Sequence, residues 1–490
     1  MKINESSTIA EYIGFSAPET PKLLVLNNFL SDFFEQIEDA KIEYSYKDFN
    51  DFIVCQESDE EKREKLIDSF NYYFSALSGK NILSKKTKKI YFPLNLKMLV
   101  AGDYTLRHLH FQLFMGGNNI IDISAFKEQL ADYLYSNSVG TNKLLSFIWD
   151  KITTEATTKK TSISYRKDNR TWFNNLSKKF YEDIMTMINS ENYKLFDYYK
   201  KADYLSTLLS FYVILYIVER TNQLRRKPNN VIVCKGSYNS TENKMFHRMS
   251  VKNFANIRER IFTLYDEFLI DKFSFNDEIK LVKKDDEIFV VEKEQSSEEE
   301  NHISFEDFVN KHELIRSKNM NTNKKLISIM GLDSKSDVIL KNDVFVSKLI
   351  SFLKAKKGSN IIKIVSTLSS TGRDIDFVFP RNKTKHKFFA MSEQMADFFV
   401  RLYLTSIDSK FADYSSFLIW LEERYNICIK KSEKLDKYLK NNNLNIYSKE
   451  YYQNEKDFIE ILERINVLLK ISDSGYIIIL PELKGGFNLI

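Results

Sequence analysis

The sequence predicts a mainly α protein of the α+β class: a large helical domain followed by a smaller C-terminal domain of short helices ending in a β-hairpin. Three observations carry this expectation. Glycine (13) and proline (6) are scarce among 490 residues, too few for the many tight turns of a sandwich or propeller. The run from Ala202 to Arg220 keeps helical spacing through Leu205, Leu208, Leu209, Tyr212 and Leu215, while Phe211, Ile214 and Ile217 fill the opposite face. A helix apolar all round is enclosed by other helices. Finally, from Ser392 onward, helical periods give way to two β-like runs separated by a Ser-Asp-Ser-Gly turn.

The elements follow in order. Residues 1–22 hold Pro18 and Pro21 and read as an arm, and Leu23–Ile37 as an amphipathic helix. Acidic Glu57–Glu64 opens a second helix through Leu77. The basic stretch Lys80–Lys89 follows, and then Gly102–Phe114 with His108 and His110. Helices are expected over Ser124–Tyr135, capped by Ser124, over Thr141–Ile152 and over Trp172–Ile188, with the polar stretch Thr153–Arg170 as a loop. After the central helix come Arg225-Arg226-Lys227, a short strand at Val231–Cys234, a turn over GSYNST and a long helix from Val251 to Lys272. Ile279–Glu294 alternates as a hairpin.

The acidic stretch 295–303 is expected to be a linker. It would separate an N-terminal helical domain, residues 1–294, from middle helices and a hairpin over 304–391. A winged-helix-like domain would occupy 392–490. Ser304 with Asp307 makes a weak capping box. Val344–Leu353 reads as a helix, and Ile361–Val365 and Ile375–Phe379 as strands around SSTGRD. Met395–Tyr403, Tyr414–Tyr425, Ser432–Leu439 and Glu450–Leu469 read as helices.

Composition narrows the function classes. Charged residues make up 28% and the net charge is +5, so nucleic-acid binding has to rest on local patches. The cysteines Cys55, Cys234 and Cys428 are odd in number and far apart, which fits reduced cytoplasmic thiols and neither a disulfide framework nor a zinc site. The N-terminal stretch lacks a signal peptide's apolar core, and the central run is flanked too closely by charge to span a bilayer. The expected location is the cytoplasm, with no membrane association.

Few constellations carry chemistry. GSYNST lacks both the nucleophile-elbow pattern and a phosphate loop. Asp374 and Asp376, two apart, would share one face of a strand. Nucleotidyltransferases hold paired magnesium ions that way, and Gly358-Ser359 would be their upstream turn. A third carboxylate is not evident, so a magnesium-dependent nucleotidyltransferase stands as the alternative. In EIFVVEKE, Lys293 falls between Glu292 and Glu294, on the wrong strand face for a restriction-type nuclease. His108 and His110 would share a strand face but lack a third ligand. No catalytic residue, metal site or cofactor is assigned.

Basic clusters are the remaining signal: Lys80–Lys89 with Lys85, Lys86, Lys88 and Lys89; Lys159–Arg170; Arg225, Arg226 and Lys227; Lys354–Lys363; Arg381–Lys387; and, in the C-terminal unit, Lys434, Lys437 and Lys440 at three-residue steps. In a helix-turn-helix the second helix enters the major groove, and Ser432–Asn441 is the segment expected there. Winged helices also serve as protein contacts.

The long helical N-terminal half, the succession of apolar helix, VIVCKGS, HRMS and IRERI, the C-terminal helices and the ending LLKISDSGYIII together resemble a known group. They are similar in layout to the non-ATPase accessory (G-type) subunits of bacterial phage-restriction operons that act on modified DNA. The resemblance implies a non-enzymatic scaffold that binds double-stranded DNA and a protein partner, a separate ATPase or nuclease. It carries over no catalytic residue. A purely structural scaffold is the further alternative.

Overall fold

In the computed structural model the described residues run, with short gaps, over 106–135, 170–311 and 324–482; before residue 106 they comprise only 12–14, 25–26, 29, 44–45, 59–62, 64–65, 83–84 and 89–90. The protein is mostly helical with small sheets, an α+β architecture. In chain order the elements begin with three two-residue strands, β1 (Tyr44–Ser45), β2 (Leu83–Ser84) and β3 (Lys89–Ile90), paired antiparallel in the order β1-β3-β2. Helices α1 (Leu106–Gly116), α2 (Ile123–Tyr135), α3 (Thr171–Asn189), α4 (Glu191–Lys194) and α5 (Tyr198–Asn222) follow. Next come β4 (Ile232–Lys235), α6 (Lys244–Phe273), β5 (Glu278–Lys284), β6 (Glu287–Lys293), β7 (Glu300–Ser304), α7 (Phe305–Lys311) and α8 (Lys324–Met330). The chain continues through β8 (Asp337–Lys341), α9 (Asn342–Ala355), α10 (Asn360–Asp374), β9 (Val378–Phe379), β10 (Phe388–Ala390) and α11 (Glu393–Ser406). It ends with β11 (Phe411–Asp413), α12 (Tyr414–Tyr425), β12 (Ile427–Cys428), α13 (Glu433–Asn441), α14 (Ser448–Arg464), β13 (Leu468–Lys470) and β14 (Tyr476–Ile479).

The expected central helix is α5, and it is enclosed as its all-round apolar surface requires. Leu205, Leu208, Leu209, Phe211, Tyr212, Val213 and Ile214 have no exposed surface. Helices α2, α3, α6 and α10 pack around it, and Phe211 meets the rings of Phe399 on α11 and Tyr425 on α12 edge-on at 5.1 Å. Its internal hydroxyls bond back one turn: Ser206 Oγ and Thr207 Oγ1 both donate to the Asp203 carbonyl, at 3.0 and 2.7 Å. By length and composition α5 could cross a membrane, but 89% of that window is buried inside the protein.

Buried polar groups join these helices. Asp183 of α3, fully enclosed, accepts from Tyr212 and Tyr425, each at 2.6 Å, and from Arg424 Nη2 at 2.6 Å. Burial pushes its carboxyl up, and the Arg424 guanidinium with the two phenols opposes that. One acid thereby ties α3, α5 and α12 together.

The sheet β12-β4-β10-β9 sits at the centre of the chain's connectivity. Strand β4 runs parallel to both β12 and β10, and β9 closes one edge antiparallel. Every residue of β4 is buried, as for a parallel strand covered on both faces. A second sheet, β7-β6-β5-β8, is antiparallel throughout.

Several expectations change in the structure. Residues 300–303 of the expected acidic linker fall in β7, paired with β6, and side chains from both sides of that stretch share one core. Segment 361–365 is helical, not a strand: Ile361, Ile364, Val365 and Leu368 are buried at spacings of three, one and three on α10. The strand expected over Ile375–Phe379 shrinks to β9. The cap of α2 is Asp122, whose carboxylate accepts from Ala125 N at 3.1 Å. Ser304 caps α7 as expected, with Asp307 N donating to Ser304 Oγ at 3.0 Å. Helix α1 replaces the strand imagined around the histidines. His110 is buried, with Nε2 at 2.9 Å from the Leu209 carbonyl. Residues two apart on a helix do not share a face.

Candidate nucleic-acid interface

The C-terminal surface is built on α13 and α14. Ser432 caps α13, its Oγ accepting from Leu435 N at 3.2 Å. Leu435, Tyr438 and Leu439 pack under the helix against Val231, Phe246, Met249 and Cys428. Amphipathic burial of that face turns Lys434, Lys437 and Lys440 outward, and all three are exposed. They are not equivalent. Lys434 Nζ donates to the Glu422 carbonyl at 3.1 Å and to Asn426 Oδ1 at 3.2 Å, so it caps the C-terminus of α12, where unsatisfied carbonyls favour a cation. Lys437 and Lys440 carry no such duty among the described residues.

The helix that directly precedes the β13–β14 hairpin is α14, not α13. Around it, β11, β14 and β13 form a three-stranded antiparallel sheet in the order β11-β14-β13, on which α11, α12 and α14 pack. The order is therefore helix α11, strand β11, helix α12, an insertion of β12 and α13, helix α14, then two strands. The inner face of α14 buries Tyr451, Asn454, Asp457, Phe458, Ile461 and Leu462. Its outer face shows Lys449, Tyr452 and Lys456 along the N-terminal half, with exposed Tyr447 just before it. Tyr447 and Tyr452 are 73% and 71% exposed, unusual for large aromatic side chains. The ion pair of Lys456 with Glu460, at 3.9 Å between two half-exposed side chains, binds the lysine only weakly. Glu450 and Glu455, both partly exposed, share these turns with Lys449 and Lys456, and Glu460, Glu463 and Arg464 lie toward the far end.

The turn between the helices, Asn442–Tyr447, is polar and half exposed. Tyr451 Oη donates to Asp436 at 2.9 Å, and Asn256 Nδ2 reaches both Tyr438 Oη and Asn442 Oδ1 at 3.2 Å. The first bond joins α14 to α13, and the other two tie α13 to α6. The lysines on both helices and the two tyrosines thus belong to one rigid unit that could contact phosphates and stack on an aromatic ligand.

The other predicted site residues divide in two. Lys85, Lys86, Lys88, the side chain of Lys89, Arg225, Arg226 and Lys227 lie outside the described residues, as do Gly358-Ser359 of the expected upstream turn. Asp374 and Asp376 are described, and they do not share a strand face. Asp374 ends α10 with Arg373 Nε at 3.5 Å, while Asp376 sits in a left-handed turn at φ 56° and pairs with Arg381 at 2.6 Å. The helical burial of 361–368 draws the chain into α10 and leaves no room for the two-carboxylate strand. Among the described residues no group of three or more His, Cys, Asp or Glu is set to hold a metal ion. The α14 face escaped sequence reading because chain order alone assigned the role to the helix before it. The signal was available in the Lys449, Tyr452, Lys456 spacing next to the terminal hairpin.

Comparison of the chain with protein-family models, with curated proteins and with solved structures finds no match.

Proposed function

We propose that this chain is a nucleic-acid- and protein-binding subunit, without catalytic chemistry of its own, that presents a C-terminal winged helix to double-stranded DNA. The observation that carries the reading is the succession α11, β11, α12, α14, β13, β14 with the strand order β11-β14-β13. That is the winged-helix order, with β12 and α13 inserted between its second and third helices. In such a unit the helix before the hairpin enters the major groove and its N-terminal residues meet base edges. Here that helix is α14, and Lys449, Tyr452 and Lys456 occupy its leading turns. Lys437 and Lys440 on the inserted α13 extend the basic surface toward the flanking phosphates.

The layout resemblance to accessory subunits of phage-restriction operons supplies the cellular setting: a bacterial defence complex in which a separate ATPase or nuclease does the chemistry. A chain of this size with an exposed basic patch among its described residues is suited to positioning such a partner on DNA.

The reading is tested by duplex binding across a salt series. Phosphate contacts release counterions, so affinity should fall steeply with salt. Replacing Lys437, Lys440, Lys449 and Lys456 by alanine should reduce the salt slope by about 1 for each lysine that touches phosphate. Tyr452→Ala should weaken binding with the slope nearly unchanged. All five side chains are exposed, so the variants should melt with the parent. Absence of duplex binding at low salt, with or without the partner, would instead favour the purely structural scaffold.

A further inference from the structure

The longest helix, α6, lines one side of a cavity of about 290 Å³, near the lower end of the range for small-molecule sites. Asn256, Glu259, Arg260 and Glu267 face it from α6; Leu224, just past the end of α5, and Asn442, at the C-terminus of α13, close it. Arg260 is the unusual member. It is only 8% exposed, and its Nη1 is buried with no hydrogen-bond partner among the described residues. An arginine does not neutralise itself by losing its proton, so a buried guanidinium nitrogen left without a partner is costly unless something pairs with it. Of the two carboxylates lining the cavity, Glu259 pairs with Lys354 at 3.3 Å, and neither forms an ion pair with Arg260 among the described residues.

The other polar atoms define what else is offered. Asn256 spends its Nδ2 on Tyr438 Oη and Asn442 Oδ1, and Asn442 spends its own on the Tyr438 carbonyl at 2.8 Å. The Asn256 Oδ1 acceptor and the Glu267 carboxylate remain. The cavity therefore presents one cationic side chain and, beside it, acceptors. We propose that it binds a small molecule carrying one carboxylate or phosphate group together with N–H or O–H donors. The oxyanion would sit on Arg260, and the donors would face Asn256 and Glu267. Free α-amino acids and nucleoside 5′-monophosphates both have this chemistry.

Calorimetric titration and thermal melting of the full-length protein distinguish the sources. The probes are the amino acids, the four ribonucleoside monophosphates, and inorganic phosphate as the bare oxyanion. Saturable binding by one of the two classes is expected, with inorganic phosphate weaker. Arg260→Met should lose roughly ten- to hundredfold in affinity, yet melt at or above the parent's temperature without ligand, because it removes an uncompensated buried charge. Glu267→Gln should weaken the donor-bearing probes and leave inorganic phosphate unchanged. Failure of every probe to bind at millimolar concentration, equal binding by Arg260→Met, or a clear drop in that variant's unliganded stability would each overturn the assignment.

Discussion

At the scale of single residues, the fold spends polar groups where helices meet and leaves a few ionisable groups under strain of burial. Asp183 is compensated by three donors, and Arg401 of α11 by Asp397 at 2.8 Å and Glu482 at 2.8 Å. Asp266 on α6 is not compensated in this way. Burial pushes its carboxyl up to about 6, with Lys354 opposing. A folded-state value above the unfolded one means the native state binds the proton more tightly, so this group favours folding below pH ~4 and loses that contribution as pH rises through about 6. Asp266→Asn removes the titration. Solvent reaches the half-buried group and screens it, so the gain at neutral pH should be on the order of 1 kcal/mol. Denaturant midpoints compared at acid and neutral pH check this: the variant should gain at neutral pH and show a flatter profile between the two. An identical profile in parent and variant would show that the carboxyl is not perturbed.

At the scale of elements, local periodicity was a good guide wherever burial is one-sided or total over a long run. Helix α5, the β5–β6 hairpin, the capped α7 and the four C-terminal helices can be read from spacing alone. Helix α10 could not. Its Ile361, Ile362, Ile364 and Val365 are β-branched and suggest a strand, but packing against α5 selects the helical register. Long-range pairing likewise hid the proposed DNA-reading helix, since the bond of β11 to β14, which sets α13 apart as an insertion, joins segments far apart in sequence. The lysines of α13 and α14 are both legible in the sequence, but the places of the two helices in the folded unit are not. For α5 the physical expectation is firm. Leu209 has no exposed surface, so Leu209→Ala should cost roughly 2–5 kcal/mol through lost burial and the cavity left behind. Leu209→Asp should abolish soluble folded protein, because a lone carboxylate there has no partner. Circular dichroism melts of the alanine variant and soluble yield of the aspartate variant test both statements. A folded aspartate variant that fails only to assemble with a partner would make α5 an interface.

At the scale of the whole molecule, what sequence reading could not supply is the joining of distant segments. Strands β4, β10 and β12 have two to four residues each and come from residues 232–235, 388–390 and 427–428, so no local pattern announces their pairing. In an open parallel sheet the crevice beyond the carboxyl ends of the strands usually receives a ligand. Here α14 fills that place. Asn454 Oδ1 accepts from Gly236 N at 2.8 Å, and Asn454 Nδ2 donates to the carbonyls of Cys234 at 3.2 Å and Ile429 at 2.7 Å. The proposed DNA-reading helix is thereby bolted to the centre of the protein. Gly236 makes the fit possible: a Cβ there would lie 1.9 Å from the Asn454 carbonyl oxygen and 3.0 Å from Phe458 N. Both obstacles are backbone of α14, so neither can swing aside as a side chain would. Gly236→Ala should therefore push α14 off the sheet, at a cost of roughly 1–3 kcal/mol or more. Limited proteolysis should detect this as faster cleavage in the turn 442–447, and duplex binding should fall although no contact residue has changed. Asn454→Ala would leave the Gly236 N–H and two carbonyls without their partner and should open the same seam. Because both changes act on one contact, the double variant should cost less than the sum of the two. Strict additivity, or a Gly236→Ala protein as stable and protease-resistant as the parent, would mean that α14 rides on the sheet without being held by it.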